Sequence, residues 1–274
     1  MPSRSRFIVR PAFTVPELLA VVAIIMIVLS ILLPSMGRGR DAARKAICAS
    51  NLHQQGLAMI NYTVNTQYYP GHAASMNGYI AAVWPTRMRL YGEGVGMFNC
   101  PSAPIGFQWK VVTAAPGGVY ATQAEVNTWG YKMGERLLVV GGGSGMPFTY
   151  GYNDWGSWNT SWQILKNPQR GLGGDLYFSV NVTELRKSLV SAPSNMIAIA
   201  DNVNDGNWDF NIDPNNPSEG VGKLHYDGAN VLFCDGHVDW ELTTKWMNVN
   251  TATTAGQDMG RKWNNHNGYT ADQN

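Results

Sequence analysis

An α+β fold is predicted for this chain: a long bent N-terminal helix, transmembrane and then amphipathic, packed on an antiparallel β-sheet head with long loops. Three observations lead there. Residues 18–37 form an uncharged, mostly aliphatic run. Residues 38–62 carry apolar side chains at helical spacing. Beyond residue 63 that spacing fades, and Gly, Pro, Tyr and Trp give way to short turn-bounded strands near the C-terminus.

The 20 Lys and Arg nearly balance the 19 Asp and Glu, so the net charge is +1. That leaves no electrostatic footprint for nucleic acid. Charged residues make up 14% of the chain, below the ~25% of an ordinary soluble domain. Gly, Asn, Trp and Tyr fill the difference, which suits a loop-rich surface outside the cytoplasm. Cys48, Cys100 and Cys234 contain no Cys-x-x-Cys pair, so their sequence spacing argues against zinc. An odd count in an exported protein admits one disulfide and one leftover thiol.

The first element is the N-terminal helix. Residues 1–12 hold Arg4, Arg6 and Arg10 and no acid. The 20 uncharged residues from Leu18 to Gly37 would reach about 30 Å as a helix, the thickness of a bilayer core. A span is expected at about residues 15–36, and its basic flank predicts N-in, C-out orientation. No small-x-small cleavage site follows the apolar run, as an ordinary signal peptide would require. Glu17 stands out at the edge of the run. A carboxylate in hydrocarbon costs a few kcal/mol unless partnered, which a simple anchor has no use for.

Ala12-Phe13-Thr14-Val15-Pro16-Glu17-Leu18-Leu19 resembles the prepilin cleavage and methylation motif of type IV pilins and type II secretion pseudopilins. The resemblance implies cleavage between Ala12 and Phe13, N-methylation of the new Phe13 amine, and an assembly role for Glu17. It also implies a helix bend at Pro34. Ala12 stands where the family usually has Gly, and Pro16 where it usually has an aliphatic residue. A proline in the first turn loses no helical hydrogen bond. Residues 1–12 are then a leader, and residues 13–62 one long helix.

The amphipathic second part of that helix opens at Arg38, Arg40, Asp41, Arg44 and Lys45. Cys48, Leu52 and Met59 recur on one face. Residues 48–57 and Phe98-Asn99-Cys100-Pro101-Ser102 resemble recurrent stretches of large pilin-like proteins. By that resemblance Cys48 and Cys100 form a disulfide; two buried thiols are the alternative. Residues 141–145 read as a glycine-rich turn, since no Lys-Ser/Thr follows to make a phosphate loop. The aromatic run 150–159 reads as core and turn, or, if exposed, as a sugar-stacking surface.

Met196–Asp201 reads as a buried strand. Asp201, Asp205, Asp209 and Asp213 follow among Asn and Gly, a density of hard oxygens that admits Ca2+. Val203 breaks an EF-hand pattern, and the support by resemblance is the C-terminal calcium loop of major pseudopilins. A solvated turn is the plainer reading. Residues 223–242 read as a strand meander with turns at Asp227-Gly228 and Asp235-Gly236. His225, nine residues and Asp235-Gly236 resemble a prepilin-associated signature. Its residues are expected to brace the meander through a His–Asp hydrogen bond rather than to catalyse. The head is expected over residues 63–249, and residues 250–274, polar and poor in apolar side chains, as a flexible tail.

The resemblance therefore implies a structural subunit of a pilus or pseudopilus and no enzyme. No Gly-x-Ser-x-Gly, His-Glu-x-x-His or paired-acid motif stands out. Its implied partners are other pilin or pseudopilin subunits, the prepilin peptidase/methyltransferase and an inner-membrane assembly platform. The implied location is a single-pass inner-membrane protein with its head in the periplasm, or a surface filament. The alternative is a membrane-anchored binding protein for glycans or a partner protein that does not assemble.

Overall fold

The computed structural model describes residues 13–76, 78–113, 117–140, 148–155, 171–173, 175–176, 184–206, 210–250 and 252–265. The chain forms two compact units, Met1–Ala43 and Arg44–Asn274.

In chain order the regular elements are α1 (Val15–Thr66), β1 (Ala73–Met76), β2 (Tyr79–Ala82), α2 (Trp84–Met88) and α3 (Gln123–Trp129). Then come β3 (Val139–Val140), β4 (Tyr150–Asn153), β5 (Asp175–Leu176), β6 (Ile197–Asp201) and β7 (Asn211–Ile212). The chain closes with β8 (Gly228–Phe233), β9 (Val238–Leu242), α4 (Thr243–Trp246) and α5 (Thr254–Trp263). The fold class is α+β, with a long N-terminal helix leading into a sheet-based head.

Helix α1 has two characters. Every side chain from Phe13 to Leu33 is exposed, and nearly all are apolar. In the second unit the helix instead buries Cys48, Leu52, Gln55, Ala58, Met59, Tyr62 and Thr63, a face spaced three and four residues apart. The helix ends four residues later than expected. Thr66 Oγ1 donates to the Tyr62 carbonyl, and Gln67 at φ 67° terminates the turn in the left-handed region. The bend expected at Pro34 falls on a side chain outside the described residues.

The head holds two sheets rather than the one antiparallel sheet expected. The first has the order β3-β2-β1-β5, the second β7-β4-β6-β8-β9. Most pairs are antiparallel, but β5 and β7 join as parallel edges. Each edge strand is two residues long, too short for its hydrophobic pattern to show in sequence. The larger core lies around Trp84, whose ring meets Phe98, Phe148 and Tyr152 and whose Nε1 donates to the Phe210 carbonyl. Tyr150 and Tyr152 are wholly buried on β4 and Trp155 nearly so, so the described part of this aromatic run is core. Residues 156–159 of the same run lie outside the described residues.

The expected flexible tail is corrected in part. Residues 254–263 form α5, capped by Thr253 accepting from the Gly256 amide. Trp263 is fully buried and donates through Nε1 to the Trp246 carbonyl. One large aromatic side chain anchors a segment whose polar composition suggested mobility. Residues 266–274 lie outside the described residues.

Candidate functional site

At the N-terminus of α1 the local chemistry is the glutamate arm of a capping box. The Thr14 amide and Oγ1 both donate to Glu17 Oε2, at 2.9 and 2.7 Å, while the Leu18 amide donates to the Thr14 carbonyl. Thr-x-x-Glu thus satisfies helix-end donors, and Pro16 sits in the first turn where no donor is missed. Glu17 has a role within its own chain that the sequence reading did not assign. Phe13 is 75% exposed; Ala12 lies outside the described residues. By length and composition α1 is a candidate membrane span or signal sequence.

In the head, the signature residues meet α1. His225 and Gly228 exchange two backbone hydrogen bonds across Tyr226 and Asp227, both left-handed at φ 54° and 59°. That geometry is the tight mirror-image turn opening the β8–β9 hairpin. At the other end Gly236 adopts φ +95°. Its carbonyl is 3.1 Å from His53 Nδ1, and its Cα lies 3.1 Å from where a Cβ on Gly56 would stand. The Asp-Gly turn is thus pressed against a glycine of α1, and bulk at either position would part them.

The His–Asp hydrogen bond expected in the meander joins Asp235 Oδ1 and His237 Nδ1, 2.6 Å apart on the surface. His225 turns inward, with Nε2 3.5 Å from both Asp201 Oδ2 and Cys100 Sγ. Cys100 is disulfide-bonded to Cys48 of α1, while Cys234 is a buried free thiol. All four side chains, Cys48, Cys100, Asp201 and His225, are buried, and their ligand-type atoms lie within 4.8 Å of one another.

Strand register explains the Asp201 carboxylate. Ala200 pairs with Val231, so Asp201 comes opposite Asn230, whose backbone amide donates to Oδ2 at 2.8 Å. Burial pushes the Asp201 carboxyl up to about 7 against the pull of Asn230. Burial, with Lys45 nearby, lowers His225 to about 4, so its ring is neutral at pH 7. Each of the four residues was legible as a local feature. Their convergence was not, because it joins positions as far apart as 48 and 225 through register and helix packing.

Of the four aspartates expected to admit calcium, Asp201, Asp205 and Asp213 form no common ligand cluster among the described residues. Asp201 is drawn to Asn230 and His225, and Asp209 lies outside the described residues. Asp205 and Asp213 instead act on Glu219, and Asp213 also on Asp154. Asn211 Nδ2 bridges Asp154 and Glu219 at 2.8 and 3.0 Å, and His72 Nε2 lies 3.8 Å from Asp154. Burial raises both carboxyls to about 7. The sequence reading missed this second cluster, since no spacing links positions 72, 154, 211 and 219.

A family model described as a protein of unknown function (DUF1559) matches residues 37–82. That stretch covers the amphipathic part of α1 with Cys48, Gly56 and the first hairpin. No curated protein and no solved structure was found to match the chain.

Proposed function

We propose that this chain is a structural subunit of a type IV pilus or type II secretion pseudopilus, and not an enzyme. It is made as a prepilin, cut between Ala12 and Phe13 by a prepilin peptidase, and methylated on the Phe13 amine. The helix is inserted N-in in the inner membrane, and the head is held in the periplasm or carried out on the filament. Its partners are like subunits and the assembly platform.

The observation that supports this best is the division of α1. Its first stretch is apolar and wholly exposed, while its second stretch is built into the head's core. An uncovered apolar helix of this length needs lipid or the same helix in neighbouring subunits. On assembly the Glu17 carboxylate pairs with the Phe13 amine of a neighbour, an attraction strengthened by the low dielectric. The capping box uses only Oε2, which leaves Oε1 to the neighbour.

A membrane-anchored binding protein that does not assemble is the second reading. The capping box favours it, because Thr14 gives the carboxylate a use without any partner. The burial of Tyr150, Tyr152 and Trp155 takes these three rings out of any glycan surface.

Two variants separate the readings. Thr14→Ala removes the Oγ1 bond to Glu17 and keeps the carboxylate, while Glu17→Ala removes the carboxylate and both bonds to it. The subunit reading expects both proteins in the membrane fraction, with filament or pseudopilus assembly kept by T14A and lost by E17A. Assembly by E17A would sink it. The N-terminal residue and mass of the mature protein test processing: a methylated Phe13 is expected, and an intact Met1 removes the prepilin claim.

A further inference from the structure

Four buried ligand-bearing side chains meet where the two signature regions of the head converge on α1. Cys48 comes from the helix, Cys100 from the loop after the Gly96–Phe98 turn, Asp201 from the end of β6, and His225 from the turn before β8. We propose that in the dithiol state these residues form a divalent-metal site of the zinc class, and that metal binding and the Cys48–Cys100 disulfide exclude one another.

The geometry supports it at three points. A tetrahedral zinc with bonds of ~2.3 Å to sulfur and ~2.0 Å to nitrogen or oxygen sets its ligand atoms roughly 3.3–3.8 Å apart. His225 Nε2 stands 3.5 Å from Cys100 Sγ, at the tetrahedral edge length, and 3.5 Å from Oδ2 of the Asp201 carboxylate. Asp201 Oδ1 is buried and has no hydrogen-bond partner among the described residues, an unsatisfied acceptor on a residue of 0% exposure. Asn230 holds the other oxygen, as outer groups hold a ligating carboxylate. Two sulfurs, an imidazole nitrogen and one carboxylate oxygen complete a four-coordinate set with no position left for water, the pattern of a structural rather than a catalytic site.

The two states interconvert by balanced chemistry. Every chain is synthesised as the dithiol. Zinc binding removes one proton from each thiol, and His225 binds neutral and Asp201 as carboxylate. A disulfide oxidant, small-molecule or thiol–disulfide oxidoreductase, then takes two electrons from the two thiolates. The Cys48–Cys100 bond forms, the oxidant's S–S bond becomes two thiols with protons from solvent, and the metal ion leaves. Zinc would hold α1 to the head until the disulfide replaces it.

The test uses the full-length chain in detergent, carrying Cys234→Ala so that only the two site thiols remain. It is unfolded with a phosphine reductant and refolded with one equivalent of Co2+, then of Zn2+. One metal per chain is expected, with the visible bands of tetrahedral cobalt and a thiolate charge-transfer band, displaced by Zn2+. His225→Ala and Asp201→Ala should each weaken affinity ~10–100-fold, and the disulfide-bonded chain should take up none. Adding oxidised glutathione should release one metal per disulfide formed. A refolded dithiol chain without thiolate–cobalt bands overturns the proposal. So do full affinity in H225A, and failure of the dithiol chain to refold even with zinc present.

Discussion

Glu17 shows how one residue can satisfy two accounts. In the sequence it is a carboxylate at the edge of an apolar run, which argues for a partner. In the structure that partner is Thr14 of the same chain. A filament contact is then an addition to a local bond, which is why T14A and E17A must be compared rather than E17A alone. The glycines are less ambiguous. Gly236 at φ +95° would place a Cβ 2.9 Å from Ile60 Cδ1, and an L-residue at that φ is strained whatever its neighbour does. Gly236→Ala should destabilise the head by about 1–3 kcal/mol, read as a lower denaturation midpoint with an unchanged slope. Gly56→Ala meets Leu232 Cδ1 at 2.8 Å and the Gly236 backbone at 3.1 Å, so it should lower the midpoint in the same assay.

At the scale of elements, α1 and α5 make opposite points about hydrophobicity. The first half of α1 is the most apolar stretch of the chain and is buried nowhere in it. Helix α5 is polar, and Trp263 ties it into the core around Ile197, Ala200, Val231, Phe233 and Trp246. Trp263→Ala removes a wholly buried indole and the Nε1 hydrogen bond to Trp246. It should cost about 3–5 kcal/mol; hydrogen exchange should show α5 amides losing protection first. An unchanged melt would mean that α5 is a passenger and that the tail reading was right after all. The β8–β9 hairpin belongs at this scale too, since its tight turns present His225 inward and Gly236 to the helix.

For the whole molecule, the disulfide ties α1 to the head across a loop of 52 residues, which restricts the unfolded chain by about 4 kcal/mol in the entropic account. Buried acids set the pH response. Asp154 and Glu219 stand at about 7 against ordinary values of 3.8 and 4.5, raised first by burial. Asp213 acts on both in the same sense, as Asp205 does on Glu219, while His72 and Asn211 oppose. The folded state therefore binds more protons than the unfolded chain between about pH 4 and 7. Their contribution is full below the unfolded values and is lost as pH rises through 7. His225, lowered to about 4, works the other way and loses its contribution as pH falls from 6.5. The melting midpoint of Asp154→Asn should fall less between pH 5 and pH 8 than that of the unaltered protein. An equal fall in both would place the pH response elsewhere.

The sequence by itself determined the local features. The uncharged 20-residue run, the periodic face of Cys48, Leu52 and Met59, the turn glycines and the strand at Met196–Asp201 all rest on interactions between near neighbours. Spacing along the chain records such interactions. Only the tertiary structure decided which distant features meet. It paired His225 with Asp201 and Asp235 with His237, drew Asp201 out of the aspartate loop, anchored the C-terminal segment through Trp263, and divided the strands between two sheets. Those outcomes follow from strand register and from burial between elements far apart in sequence. A periodic pattern says that a face is buried, but not against what.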